Sequence, residues 1–474
     1  MSRAAYIPTI DTATASSASS FTYGVSFNDE NEPLLSPQST STSYYTCDPE
    51  DNSNRNGLGR ASRFSGTVNL LNTILGTGML AMPAAVATVG IFPGVFLTIF
   101  AGIASGTGLY LLTCCADMVG GRNTSFFGAS QLTWPSAAVW FDLAIAIKCF
   151  GVATSYIIIV GDLLPQVAKS LFGLDMSRGF WITVVVVGIL TPLGFLRTLD
   201  ALRHVSTLAI VAVVYLTAIV VYHFLSPTFQ HAPADEIEWF HVTSGIFGQL
   251  PVFIFAFTCH QNIFSVYNEL KKNDRRSMVA VITSSIGFSV IVYETIAILG
   301  YLTFGKNAKG NIVLEYPSSL FVEGGRLAIV LLVIFSYPLQ LHPCRNCLDK
   351  VLAIGLWTAA KISSEQQQTN NARRGKTPKE ASLKKHALMS AGILLGTYIV
   401  SMTISQLDLV LAFVGSTGST TISFILPGAF YYKLHADQPW SKRPSKFIAL
   451  GLALFGCLVM VVCLSFNIQR LVNN

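Results

Sequence analysis

The chain has 474 residues, of which 51% are hydrophobic and only 12% charged. That balance excludes a water-soluble globule, whose charged share is about 25%, and makes the bilayer the solvent to reason with. The formal net charge of +6 reports membrane topology through its placement, and no nucleic-acid partner is expected.

Residues 1–62 are rich in Ser, Thr, Asn and Pro and poor in apolar clusters. They cannot bury enough surface to offset ordering entropy, so a disordered cytosolic tail is expected. No charged segment, apolar run and small-residue cleavage site open the tail, and no removable signal peptide is expected. Glu30-Asn31-Glu32-Pro33-Leu34-Leu35 fits the acidic dileucine pattern, Glu30 standing four residues before the Leu34-Leu35 pair. Sorting adaptor complexes read that pattern on cargo bound for vacuoles or lysosomes.

Residues 63–466 form the expected transmembrane domain. Eleven apolar runs lie near 65–89, 91–118, 137–164, 180–196, 205–225, 244–268, 279–304, 326–344, 386–404, 408–432 and 445–466. Each is read as a helix crossing a hydrocarbon core of about 30 Å. Residues 363–385 are a hydrophilic loop and 467–474 a short tail. Positive residues are retained on the cytosolic side. With the N-terminus there, the tail and even-numbered loops hold 24 of the 31 Lys and Arg, the other side six, and Lys148 lies within a span. An odd number of spans then puts the C-terminus in the lumen. The sequon Asn123-Thr124-Ser125 falls in a loop assigned to the cytosol, so glycosylation there would invert this topology.

Eight of the nine cysteines fall in or at the ends of spans and Cys47 in the tail, so no structural disulfide is expected. Cys344 and Cys347 have CxxC spacing without a second pair, and no metal or cofactor is implied. No HExxH or GxGD motif is present, which argues against an enzyme.

Two spans weaken themselves at the centre. The first, "NLLNTILGTGMLAMP", carries Gly76, Thr77 and Gly78 at its midpoint, and each Gly costs a helix interior roughly 1 kcal/mol relative to Ala. Unwound backbone at that depth survives only if buried in protein or lining a polar cavity; a small-residue packing notch is the plainer alternative. The sixth is interrupted by Thr258, Cys259, His260, Gln261 and Asn262. First and sixth are the spans that break when five helices repeat with inverted topology. Broken helices offer N–H groups and a positive dipole end to a carboxylate, and carbonyls to an ammonium group or a cation. An amino acid needs both. The substrate candidates are therefore Thr73, Gly76, Thr77, Gly78, Thr258, Cys259, His260 and Gln261, with Ser155 and Tyr156 midway along the third span. Ionisable groups within spans are costly and become proton-carrier candidates. They are Lys148 in the third span, Glu294 in the seventh, and His260, which titrates nearest neutrality.

The blocks "GTVNLLNTILGTGMLAMPAAVATVGIFPG", "FDLAIAIKCFGVATSYIIIVGDLLPQ", "PVFIFAFTCHQNIFSVYNEL", "GYLTFG", "YPLQLHPCRN" and "VGSTGSTTISFILPG" resemble the fungal vacuolar amino-acid transporters of the amino acid/auxin permease family. That family is related to the animal sodium-coupled neutral amino-acid transporters. The resemblance implies an all-α polytopic membrane protein of eleven transmembrane helices, a LeuT-like 5+5 inverted repeat plus one additional helix. It further implies proton-coupled movement of amino acids across the vacuolar membrane, with export to the cytosol favoured, and a remnant cation site at Asn72 and Ser336. The alternatives are an importer working by proton exchange and an amino-acid sensor with little transport. The expected partners are the amino acid, the proton, the bilayer and a sorting adaptor.

Overall fold

The structure is a computed structural model. It describes residues 59, 61–120, 122, 124–196, 205–241, 243–364 and 378–473, with backbone alone at 127, 131, 136, 205–207, 353–364, 378–383 and 442. The sorting residues Glu30, Leu34 and Leu35, and Asn123 of the sequon, lie outside the described residues.

In chain order the α-helices are α1 (Arg63–Ile74), α2 (Gly78–Val89), α3 (Ile91–Val119), the short α4 (Phe126–Gln131) and α5 (Ala138–Phe172). Next come α6 (Arg178–Val185), which continues through a π-helical turn into α7 (Thr191–Gly194), α8 (Val205–Leu225), α9 (Ile246–Ala256) and α10 (Ile263–Glu269). The chain ends with α11 (Arg275–Phe304), α12 (Leu320–Ser364), α13 (Pro378–Thr403), α14 (Leu407–Val414), α15 (Leu426–Leu434) and α16 (Ser445–Asn473). Two π-helical turns, Gly415–Ser419 and Thr421–Ile425, join α14 to α15.

Among the described residues nine helical stretches are long and apolar enough to cross a membrane, and the bent pair α1–α2 makes a tenth. Arg178–Gly194, the expected fourth span, is a shorter apolar helix. Both expected interruptions are present. α1 and α2 meet at 57°, and α9 gives way to α10 through one 3-10 turn, His260–Asn262.

The helices sort into two packed groups. α1, α2, α3, α9, α10 and α11 form one, and α5, α6, α7, α12 and α13 the other; α8 packs on both α11 and α12, α14 on both α9 and α5, and α15 and α16 pack together against the first group. The second group is tied by polar bonds between its helices. Tyr337 Oη is 2.8 Å from Thr397 Oγ1, Arg345 donates to Ser390 Oγ at 2.9 Å, and Arg178 bridges Asp162 at 3.3 Å and the Ser401 carbonyl at 2.9 Å. Such bonds, away from water, hold a scaffold in one arrangement.

Both ends of the first group are fastened. At the end where α1 begins, the near end, Ala61 N–H donates to the Glu269 carbonyl and Lys271 N–H to that of Ala61, each at 2.9 Å. Arg122 adds donations to Leu270 O at 2.6 Å and Asn268 O at 2.9 Å. Residue 59 must be glycine, because a Cβ there would lie 2.2 Å from Leu270 O. At the opposite, far end, Gly90 turns the chain from α2 to α3 at φ +86°, and a Cβ would lie 2.8 Å from His241 N. The freed N–H groups of the first turn of α3 find partners in the loop before α9: Ile91 N donates to Glu238 O at 3.1 Å and Phe92 N to Trp239 O at 3.0 Å. Lys306 Nζ and His241 Nδ1 lie 2.6 and 2.7 Å from the Glu238 carboxylate, and the hydrogen bond from Lys306 holds that carboxyl below its ordinary range.

Candidate functional site

The break between α1 and α2 opens on a small cavity lined by Asn72, Leu75, Gly76, Thr77, Tyr156 and Ser336, among others. It brings together predicted residues from the first, third and eighth spans. The space open to the centre of a water-sized sphere is about 20 Å³, room for about one water, so an amino acid enters only if the helices move. The amide nitrogen of Asn72 is buried without a hydrogen-bond partner, a costly condition. α2 begins at Gly78, so the positive end of its dipole is at the cavity.

The two glycines of the triplet differ. A Cβ on Gly76 would meet only Ile74 O, at 4.0 Å, whereas one on Gly78 would lie 3.0 Å from both Cα and Cβ of Ala256. Gly76 therefore has open space beside it, and Gly78 is a close backbone contact between the two broken spans.

The remaining predicted substrate residues lie outside the cavity lining. Thr73 donates to Asn69 O at 3.0 Å and accepts from Asn262 Nδ2 at 2.7 Å, bracing the first span against the sixth. Thr258 bonds Ile254 O at 2.9 Å within its own helix, and Ser155 bonds Val152 O at 2.8 Å likewise. Cys259 is fully buried, and the Gln261 side-chain oxygen is buried without a partner. His260 is fully buried and points towards α3 and the tenth span. Its Nε2 lies 3.2 Å from Ser105 O and its Nδ1 3.0 Å from Ser423 Oγ. A carbonyl can only accept, so Nε2 carries the hydrogen, and a neutral ring then takes the hydroxyl hydrogen of Ser423 at Nδ1. Neutral His260 thus has both nitrogens satisfied.

Lys148 is 3% exposed and lies against the π-helical segment of the tenth span, where a Cβ on Gly418 would fall 2.7 Å from Lys148 Cβ. A Cβ on Gly415 would fall 2.0 Å from Pro251 O. The glycines of "VGSTG" therefore seat this span against both the third and the sixth. Glu294 lies on α11 near Thr98 of α3, away from the cavity lining.

Tyr293 was not among the predicted residues. Its single hydroxyl hydrogen is shared between Ile74 O at 2.5 Å and, more weakly, Ala256 O at 3.0 Å, the carbonyls that the two breaks release. Ser105 Oγ donates to Phe257 O at 2.7 Å and satisfies a third. Capping the freed carbonyls from neighbouring helices is what lets both breaks stand in a low-dielectric interior. The sequence signal was a tyrosine beside a glutamate midway along the seventh span.

This architecture, two helical spans broken near their middles and clasped by a third against a polar-tied scaffold, is that of a LeuT-like membrane protein. It is similar to the inward-facing conformation of Mhp1, with a TM-score of 0.53 and 13% identity, covering 88% of this chain and 92% of that one. Residues 59–469 match the family described as transmembrane amino acid transporter protein, and the chain belongs to that family. It is 43% identical over 429 residues to vacuolar amino acid transporter 5 of Schizosaccharomyces pombe, covering 87% of this chain and 96% of the relative. Identity to vacuolar amino acid transporter 5 of Saccharomyces cerevisiae is 37% over 446 residues, 85% of this chain and 96% of the relative. Sodium-coupled neutral amino acid transporter 7 of Rattus norvegicus is 25% identical, with 83% of each chain covered. The chain is by family a transporter and not an enzyme.

Proposed function

We propose that the chain is a secondary active transporter that moves amino acids across the vacuolar membrane, driven by the proton gradient, from vacuole to cytosol. The observation that carries the reading is the cavity at the first break, where an unpartnered Asn72 amide and the dipole end of α2 lie beside Tyr156 and Ser336. A carboxylate seated there would satisfy both the orphaned donor and the helix end. The printed names of the relatives support amino acids as cargo and the vacuole as the compartment. In this reading Arg178–Gly194 completes eleven spans, the near end faces the cytosol with the 1–62 tail, and residues 467–474 are luminal. Alternating access rocks the group containing the broken helices against the polar-tied scaffold.

One proton crossing one pH unit supplies about 1.4 kcal/mol, enough for tenfold accumulation. Purified protein in proteoliposomes is expected to move radiolabelled neutral amino acids in the direction of proton flow under a pH gradient. Flux against that flow would make it an importer by exchange, and binding without flux would make it a sensor. In the tail, changing Leu34 and Leu35 to Ala is expected to reroute the protein from the vacuole, as followed by fluorescence microscopy; unchanged residence would remove the sorting role.

A further inference from the structure

Glu294 is the acidic side chain in the interior of α11 that the clasp on the broken helices does not use. Both of its carboxyl oxygens are excluded from solvent and have no hydrogen-bond partner. It lies ten residues before Phe304, about 15 Å of helix from the far end, and Thr98 of α3 is a polar side chain beside it. The Thr98 hydroxyl gives its single hydrogen to Gly94 O at 3.0 Å. It can therefore offer Glu294 only a lone pair, which a protonated carboxyl can use and a carboxylate cannot.

The charged groups on the elements packed around α11 do not compensate Glu294. α2 carries no ionisable residue. Arg63 of α1 donates to Ser277 and Asp117 of α3 pairs with Arg275, both at the near end. On α3, Tyr110, Cys114 and Cys115 lie three to five turns nearer that end than Thr98. On α8, His223 Nδ1 is held by Ile219 O at 2.8 Å and Tyr215 donates to Phe321 O, with Tyr222 beside that Phe321 ring. On α11 itself Tyr293 caps Ile74 O and Ala256 O, Tyr301 reaches the Glu238 N–H, and Arg275 and Arg276 begin the helix. A bare carboxylate at this depth without a cation is strongly disfavoured.

We propose that Glu294 is the proton-carrying group of the transport cycle, neutral in the closed arrangement seen here and able to lose its proton only when the α3–α11 contact opens to water. The inference rests on the proton-coupled reading above. Tyr293, one residue earlier on the same helix, holds both breaks, so a movement that exposes Glu294 also moves the clasp. No bond other than O–H is made or broken: the carboxyl takes a proton from the acidic side and releases it to the other.

The test compares wild type, Glu294→Gln and Glu294→Asp in proteoliposomes, using a radiolabelled amino acid that wild type carries from a panel of alanine, glutamine, histidine and lysine. Glu294→Gln imitates the neutral acid. It is expected to lose gradient-driven accumulation at least tenfold, to keep counterflow exchange at equal pH within about twofold, and to show exchange that no longer varies with pH. Glu294→Asp is expected to restore part of the gradient response. Gradient-driven accumulation by Glu294→Gln at the wild-type level overturns the proposal, as does a parallel loss of accumulation and exchange in a variant that melts like wild type. Wild type that ignores the gradient would instead sink the proton-coupled reading, and this inference with it.

Discussion

Replacing Tyr293 by Phe is expected to speed alkylation of Cys259 at least tenfold in a variant keeping Cys259 as its sole cysteine, measured with a membrane-permeant maleimide. Cys259 is buried at the second break, so its labelling reports how often that break opens. The Tyr293 ring packs edge-on against Phe257 with centroids 5.1 Å apart, and Phe keeps that contact. Only the hydroxyl goes, leaving Ile74 O and Ala256 O without the donor that reaches both. An unsatisfied buried acceptor costs about 1–3 kcal/mol, and the penalty falls on the closed arrangement, since an open break lets water supply the bond. A shift of about 2 kcal/mol changes the closed-to-open ratio roughly thirtyfold. Labelling at the wild-type rate would mean that Tyr293 is ordinary packing.

Among the described residues, ten of the eleven expected spans and both breaks were legible in the sequence, because both are written locally. A stretch of apolar residues sets a crossing, and Gly76-Thr77-Gly78 or Thr258 to Asn262 interrupts one wherever the rest of the chain goes. Which side chains turn inward was far less legible. Asn72, Gly76, Thr77, Tyr156 and Ser336 do meet at one cavity, but Thr73, in the same block, is a brace to Asn262. His260 attracts notice because an ordinary imidazole titrates near neutrality, yet bonds to Ser105 and Ser423 occupy it. These outcomes depend on the bend between half-helices and on partners more than 150 residues away, which no local pattern encodes. The clasp by Tyr293 was hidden for the same reason, since it joins carbonyls 219 and 37 residues distant. Breaks announce themselves by residue type, whereas the groups that make a break tolerable are ordinary residues on other helices.

The Gly76-Thr77-Gly78 triplet separates the cavity from the packing contact. Gly76→Ala has room for its Cβ and is expected to fold normally, transporting with a raised KM. Gly76→Leu is expected to melt within a few degrees of wild type while losing transport more than a hundredfold, because three further carbons fill a space of about 20 Å³ that the substrate needs. Gly78→Leu is expected to fail differently. Its Cβ falls 3.0 Å from the backbone of Ala256, and a backbone contact cannot yield as a flexible side chain does, so α2 and α9 are forced apart at a cost of about 1–3 kcal/mol. Transport and melting temperature should fall together, read by flux in proteoliposomes and by unfolding in detergent. Near-normal flux in Gly76→Leu would rule out the cavity as the substrate's place, and an unchanged melting temperature in Gly78→Leu would rule out the contact between the two breaks. Loss of transport without loss of stability at one glycine, and loss of both at its neighbour two positions on, is a pattern that packing alone cannot produce.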